Sequence, residues 1–199
     1  MHGLQSRSVN EGQRLAHERA LADLLQLAYS GELAAAHAYH GHWRSLRSGE
    51  QSARIREIEA EELEHRRGVG AMLSALGVEP RRASEWRANC IGRALGALCH
   101  VSGWLAPMYG AGRLESHNIK EYEQAARLAR DCGRGEWVDE LLTMAELEWE
   151  HERYFRELVE QHWLGRRIPL WPRPASRQSI RTGWAESASS HLDGARAEV

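Results

Sequence analysis

The chain has 199 residues, 42% of them hydrophobic, and a formal net charge of −2. That length suits one domain with a sizeable core, and the near-neutral balance leaves no electrostatic footprint for a nucleic-acid partner. Ala, Leu, Glu and Arg dominate and Phe occurs once, a composition that favours helices. Cys90, Cys99 and Cys132 are an odd set without a C-x-x-C pair, which reads as reduced thiols in a cytosolic protein. The N-terminus carries Glu11 and no apolar run, so a signal peptide is not expected.

Residues 1–9 read as a frayed start. A long helix is predicted from about Asn10 to Leu46. Leu21, Leu24, Leu25, Ala28, Glu32, Ala35, Ala36, Tyr39 and Trp43 recur at spacings of three and four and form its inward stripe. Glu32 sits in the middle of that apolar stripe, where a surface glutamate has no place. His37, His40 and His42 are not among the residues of that stripe. They read as solvent-facing, or as supports behind the inward residues.

Ser48-Gly49 breaks the chain. A second helix is predicted from about Glu50 to Leu76, with Gly77 as its natural C′ residue. Its stripe is Ile55, Ile58, Glu62, His65, Val69, Met72 and Leu76. Glu57, Glu59, Glu61 and Glu64 fall off that stripe and read as a solvated acidic face.

Ser84 is the expected N-cap of a third helical region reaching about Arg130. Its first half holds an uncharged run from Ala94 to Gly112. That run is near the minimum length for crossing a bilayer. It contains four glycines, His100, Ser102 and Pro107, and Arg93 and Arg113 bound it. A buried or dimer-forming helix fits it better than a membrane span. Peripheral contact with the inner face of a membrane, or admission of an apolar substrate, are the other readings. Pro107 is expected to kink or break the helix. Beyond it the stripe is Met108, Gly112, Glu115, Ile119, Tyr122, Ala126 and Ala129. Glu121 and Glu123 flank it and read as exposed. A fourth helix is predicted from about Glu136 to Trp163, with Leu141, Ala145, Glu148, His151, Phe155, Leu158 and Val159 inward. After Leu164 periodicity ends. Pro169-Leu170-Trp171-Pro172 reads as a segment able to dock, and the rest of 164–199 as a largely disordered tail. The division is therefore one helical domain over 1–163 and a tail.

Two short stretches match: Glu62-Leu63-Glu64-His65 and Glu148-Trp149-Glu150-His151. Residues three apart on a helix share a face, so each Glu and its His can point at one spot and ligate a divalent metal such as iron, manganese or zinc. With 24 Glu and 11 His in the chain, random placement gives about one Glu-x-x-His pair, so the motif alone proves little. Specificity comes from register and order. The inward series is Glu32, Glu62 with His65, Glu115, Glu148 with His151, one element per helix. Tyr39 lies seven residues after Glu32, and Tyr122 seven after Glu115. Two such helical hairpins packed antiparallel would bring all six side chains to one centre. That is the ligand pattern of di-iron and di-manganese carboxylate bundles. The plainer reading is four buried glutamates neutralised by His or Arg partners. Burying unpaired carboxylates costs several kcal/mol each, so that arrangement lacks a reason to exist.

These residues resemble the ferritin-like di-iron superfamily, and most nearly its demethoxyubiquinone hydroxylase family. The resemblance rests on Gly31-Glu32-Leu33-Ala34-Ala35, Glu62 to His65, Gly110-Ala111-Gly112-Arg113-Leu114-Glu115 and Glu148 to His151, and spans roughly residues 15–163. It implies an antiparallel four-helix bundle holding two iron ions, with manganese as the alternative. Glu62 and Glu148 would bridge, Glu32 and Glu115 would each cap one ion, and His65 and His151 would each bind one. These six would be the catalytic set, with Tyr39 and Tyr122 as supports behind them. The implied activity is oxidation of a quinone-like or other apolar substrate by O2, with an external electron donor. Iron oxidation, iron handling or peroxide defence is the alternative, and a metal-binding assembly scaffold is a third. No pair of C-x-x-C motifs supports the rubrerythrin variant. The polar tail, and the glycines with His100 and Ser102 in 94–112, depart from the hydroxylase pattern.

Overall fold

The computed structural model describes residues 2–184, with side chains described from Asn10 onward. All regular structure among them is helical: α1 (His2–Ser45), α2 (Gly49–Ala75), α3 (Arg82–Leu98), α4 (Leu105–Asp131), α5 (Val138–Gln161) and α6 (177–184). Short 3-10 turns occupy Gly135–Trp137 and Gly165–Arg167.

Local chemistry sets most boundaries. Ser48 caps α2, its hydroxyl accepting from the Gln51 amide at 3.4 Å. Gly77 leaves α2 at φ +69° and Gly133 leaves α4 at φ +87°, the left-handed positions that glycine takes without strain. Three boundaries differ from expectation. The backbone of α1 is helical from His2 rather than from about Asn10. α3 starts at Arg82, with Arg81 at the cap and no side-chain cap bond, so Ser84 is inside the helix. The expected third helix is two helices, separated by Cys99–Trp104 with Gly103 at φ +77°. Pro107 does not kink a helix interior. It is the third residue of α4, in the first turn, where its missing N–H removes no intrahelical bond.

Four helices contribute to both of two apolar clusters. One holds Leu21 and Leu25 of α1, Val69 and Met72 of α2, Ile119 and Ala126 of α4, and Leu141 and Ala145 of α5. The other holds Ala35 and Tyr39, Ile55 and Ile58, Met108, and Phe155 and Val159 from the same four. Their order along the chain shows that α1 and α5 run one way and α2 and α4 the other. In each helix the Glu or the Glu-x-x-His pair lies between its contributions to the two clusters. The polar residues therefore form a layer with apolar packing on either side.

α3 lies across α1 on another side. A Cβ at Gly41 would run into the Gly96 backbone, and one at Gly92 into Ala34, so these glycines set the close approach. This packing overturns one expectation. His42 is 2% exposed, not solvent-facing: it follows Tyr39 by one turn at the edge of the stripe, stacks on Phe155 of α5, and lies against the end of α3 and the start of α4. Trp86, Ile91 and Leu95 of α3 and Val101 in the link that follows are exposed. Among the described residues no helix is long and apolar enough to cross a membrane.

The stretch after Leu164, read from sequence as a tail, packs on the helices as far as it is described. Trp171 is buried against Gly112 and Phe155. Its indole N–H donates to Glu152 Oε1 at 2.6 Å, and Arg156 donates to the Trp171 carbonyl at 3.2 Å. Ile180 of α6 is buried, and Arg181 reaches Asp139, Thr143 and Glu146 of α5. Docking of the Pro169–Pro172 segment was anticipated; the order of 173–184 was not. The remainder of the expected tail, 185–199, lies outside the described residues.

Candidate metal centre

Helix periodicity carries six polar side chains into the buried layer. Glu32 comes from α1, Glu62 and His65 from α2, Glu115 from α4, and Glu148 and His151 from α5. Glu62, Glu115, Glu148 and His151 are fully buried, and Glu32 and His65 nearly so. They form two groups of four. In the first, one ligand atom each from Glu32, Glu62, His65 and Glu148 lie within 4.8 Å of one another. In the second, the same holds for Glu62, Glu115, Glu148 and His151. Glu62 and Glu148 belong to both groups. No cysteine belongs to either.

The donor set suits a pair of hard or borderline divalent ions. It is all carboxylate and imidazole, the ligand chemistry of iron, manganese and zinc. Glu32 Oε2, both Glu62 oxygens, Glu148 Oε2 and His151 Nδ1 are buried without a hydrogen-bond partner. Buried polar atoms are rarely left so, and these converge on two foci. His151 Nδ1 lies 3.3 Å from Glu62 Oε1 and 3.4 Å from Glu148 Oε2, and His65 Nδ1 lies 3.0 Å from Glu148 Oε1.

Surrounding groups hold the six in place. Tyr39 of α1 donates its hydroxyl to Glu115 of α4, and Tyr122 of α4 donates to Glu32 of α1. Asn118 donates to the other Glu115 oxygen at 3.1 Å. Glu61 meets the outer ring nitrogen of His151, with Oε2 2.7 Å from Nε2, and Arg54 lies 3.3 Å from that carboxylate. Sequence placed Glu61 on the solvated acidic face, and the structure corrects that. It stands one residue before Glu62, far enough round α2 to miss the inward stripe but within reach of α5. The corresponding position before Glu148 is Leu147, so among the described residues His65 has no such carboxylate behind it. Glu59, placed on the same face, meets His40 Nδ1 at 2.9 Å and accepts from the Trp43 indole at 2.6 Å.

Burial and mutual repulsion set the protonation. Burial, then the charges of Glu148 and Glu115, push Glu62 up to about 8. Burial raises Glu32 and Glu115 well above the usual carboxylate range, with the Glu62 charge next for Glu32 and the Glu148 charge next for Glu115. Glu148 goes the other way: burial opposes its charge, but His151 and His65 hold it below the ordinary range. Burial works against charge on both histidines and their carboxylate neighbours overcome it, so His65 is raised and His151 is raised well above its ordinary value. Without metal these shifts favour the charged forms of Glu148 and the imidazoles and the neutral forms of Glu32, Glu62 and Glu115. Each retained proton occupies a site that a cation would take.

Compared with protein-family models, with curated proteins and with solved structures, the chain matches none. The geometry alone therefore carries the functional argument.

Proposed function

We propose that the chain is a ferritin-like protein built from two helical hairpins, with a dinuclear metal centre formed by Glu32, Glu62, His65, Glu115, Glu148 and His151. The observation that carries this is the sharing of Glu62 and Glu148 between two buried groups of four ligands. Shared carboxylates are what a pair of neighbouring ions requires, and a charge-neutralising core has no need of them. Two iron ions held there would supply electrons for activating O2. Manganese suits the same donors.

The chain's own residues define the rest. Tyr39 and Tyr122 fix the orientation of Glu115 and Glu32, and Glu61 fixes the ring of His151. Such outer partners tune both geometry and basicity of ligands. Apolar packing on both sides of the layer excludes bulk water. An apolar cavity on the Tyr39 side supports an oxidoreductase acting on a small apolar molecule, such as a quinone-like one, with an electron donor from outside the chain.

A second reading, oxidation or handling of iron itself, has one observation in its favour. A surface cleft whose wall includes Glu64, Arg67, Glu140, Met144 and the candidate ligand His65 borders the centre. Its two carboxylates are the feature suited to a metal ion.

Oxygen uptake by Fe(II)-loaded protein separates the two. An oxidoreductase consumes O2 in proportion to added organic substrate and reductant. A metal-handling protein consumes it in proportion to added Fe(II), well beyond two equivalents. Uptake in response to neither overturns both.

A further inference from the structure

Between α1, the end of α3 and the start of α4 lies a cavity of about 440 Å³, within the roughly 300–1,000 Å³ of small-molecule sites. Its walls include Ala38, Leu95, Leu98, Pro107, Ala111 and Leu114. Among the described residues no charged side chain lines it. An ion entering it would lose its hydration without a counter-charge, so a neutral, mainly apolar occupant is selected.

Two polar side chains with aromatic rings reach this space. Tyr39 has its hydroxyl engaged by Glu115. His42 is 2% exposed and its Nε2 is buried without a hydrogen-bond partner. Burial holds His42 down at about 4, so its ring is neutral near pH 7 and offers one donor and one acceptor nitrogen. An unpaired buried nitrogen destabilises the fold, and a leucine there would avoid that penalty. His42 stacks on Phe155, with ring centroids 6.3 Å apart, and Phe155 stacks on Tyr39 at 5.9 Å. The orphaned imidazole is thus joined by a ring stack to the tyrosine that holds a candidate ligand. Leu114, in the same wall, precedes Glu115.

We propose that this cavity binds one small, mainly apolar molecule bearing a hydroxyl group, with that hydroxyl hydrogen-bonded to His42 Nε2. A hydroxyl both donates and accepts, so it pairs with either imidazole tautomer. A bound molecule lies beside Tyr39, next to Glu115. Its identification as substrate rests on the dinuclear reading; its binding does not.

The test uses 2-naphthol and naphthalene as probes, titrated into the full chain and followed by tryptophan fluorescence, with metal content measured in parallel. Wild-type protein is expected to take up one 2-naphthol per chain, about tenfold more tightly than naphthalene. His42→Leu should bind the two equally, naphthalene binding being retained. Gly110 lines the cavity, and a Cβ there meets nothing within 4 Å. Gly110→Phe should therefore fill the space and abolish binding of both probes without altering metal uptake. No binding to wild type, no preference for the hydroxyl, a preference that survives His42→Leu, or binding unchanged in Gly110→Phe would each overturn the proposal. Loss of probe binding with two metals retained refutes this inference alone. Probe binding without metal refutes the dinuclear centre alone.

Discussion

Tyr122 on α4 donates its phenol hydrogen bond to Glu32 on α1, and Tyr39 on α1 returns the same bond to Glu115 on α4. The exchange ties the two hairpins across the candidate centre. It also gives a physical meaning to the repeated seven-residue spacing. Two turns beyond each glutamate, on the same face, the tyrosine reaches the glutamate of the opposite hairpin.

Tyr39→Phe and Tyr122→Phe should therefore each weaken metal binding by about tenfold or more, while stoichiometry stays the same. Isothermal titration under anaerobic conditions measures both. Tyr109 bonds the Pro169 carbonyl at the protein surface, and Tyr109→Phe should change neither. Equal effects from all three substitutions would show that the hydroxyls at the cluster are not special.

Glu61 supports His151 and has no counterpart behind His65, so the two halves of the centre should be unequal. Glu61→Leu, which mimics Leu147, should lower the affinity of one metal by about 10- to 100-fold and leave the other nearly unchanged. Glu150→Ala, in the second Glu-x-x-His but half-buried at the side of α5 against Arg177, is the control. A two-step binding isotherm in Glu61→Leu is the expected signature. A uniform loss at both sites would remove Glu61 from the role assigned to it.

The ligands were legible in sequence because a charge on an apolar helical stripe contradicts the stripe unless something neutralises it. Glu32, Glu62, Glu115 and Glu148 each made that contradiction, and all four converge. Glu61 was not legible, because its partner stands on another helix and its own register looks exposed. His42 was missed for a related reason. It stands at the edge of the inward stripe of α1, and only the seat of Phe155 and the paths of α3 and α4 show that edge to be covered. Gly41, Gly92 and Gly96 were the available signal, since small residues mark close helix approach. The break at Cys99–Trp104 was displaced toward Pro107 because a proline in the first turn of a helix reads, in one dimension, like a proline inside one. Trp171 was recognisable as an anchor, but the helix beyond it has too little periodicity to stand out.

Stripped of metal, the protein should lose stability as pH rises from about 4.5 to about 8. Glu62 keeps its proton in the folded chain up to about 8, whereas the unfolded chain releases it near 4.5. Over that window the unfolded state binds fewer protons, so stability falls, by ~1.4 kcal/mol per pH unit for each proton so retained. The raised Glu32, Glu115, His65 and His151 act in the same direction. The lowered Glu148 acts only on the acid side of the window. Melting temperatures of chelator-treated protein at pH 5 and pH 8 show the slope, and Glu62→Gln should flatten it. Metal uptake should release protons and tighten with pH. Rising stability of the stripped protein across this range would contradict the assigned protonation.

Trp171 should matter to stability and not to metal stoichiometry. Trp171→Ala removes a buried indole and the hydrogen bond to Glu152, and leaves Arg156 facing a cavity. The cost should be about 3–5 kcal/mol in chemical denaturation. Trp86 is 68% exposed, and Trp86→Ala should stay within about 0.5 kcal/mol. Similar effects from the two would mean that the segment after Leu164 does not stay docked in solution.

In the proposed dinuclear centre six side chains, two of them shared, hold two metal ions. Anaerobic titration of the metal-free protein with Fe(II) tests it most directly, in wild type and in Glu62→Ala. Wild type should saturate at two equivalents per chain, with a rise in melting temperature as the folded state is selectively bound. Glu62→Ala should lose the second equivalent and most of that rise, though its metal-free form melts no lower than metal-free wild type because a buried carboxyl forced to hold its proton up to about 8 is gone. Saturation of wild type at one equivalent or none, or two equivalents retained in Glu62→Ala, would contradict the dinuclear centre.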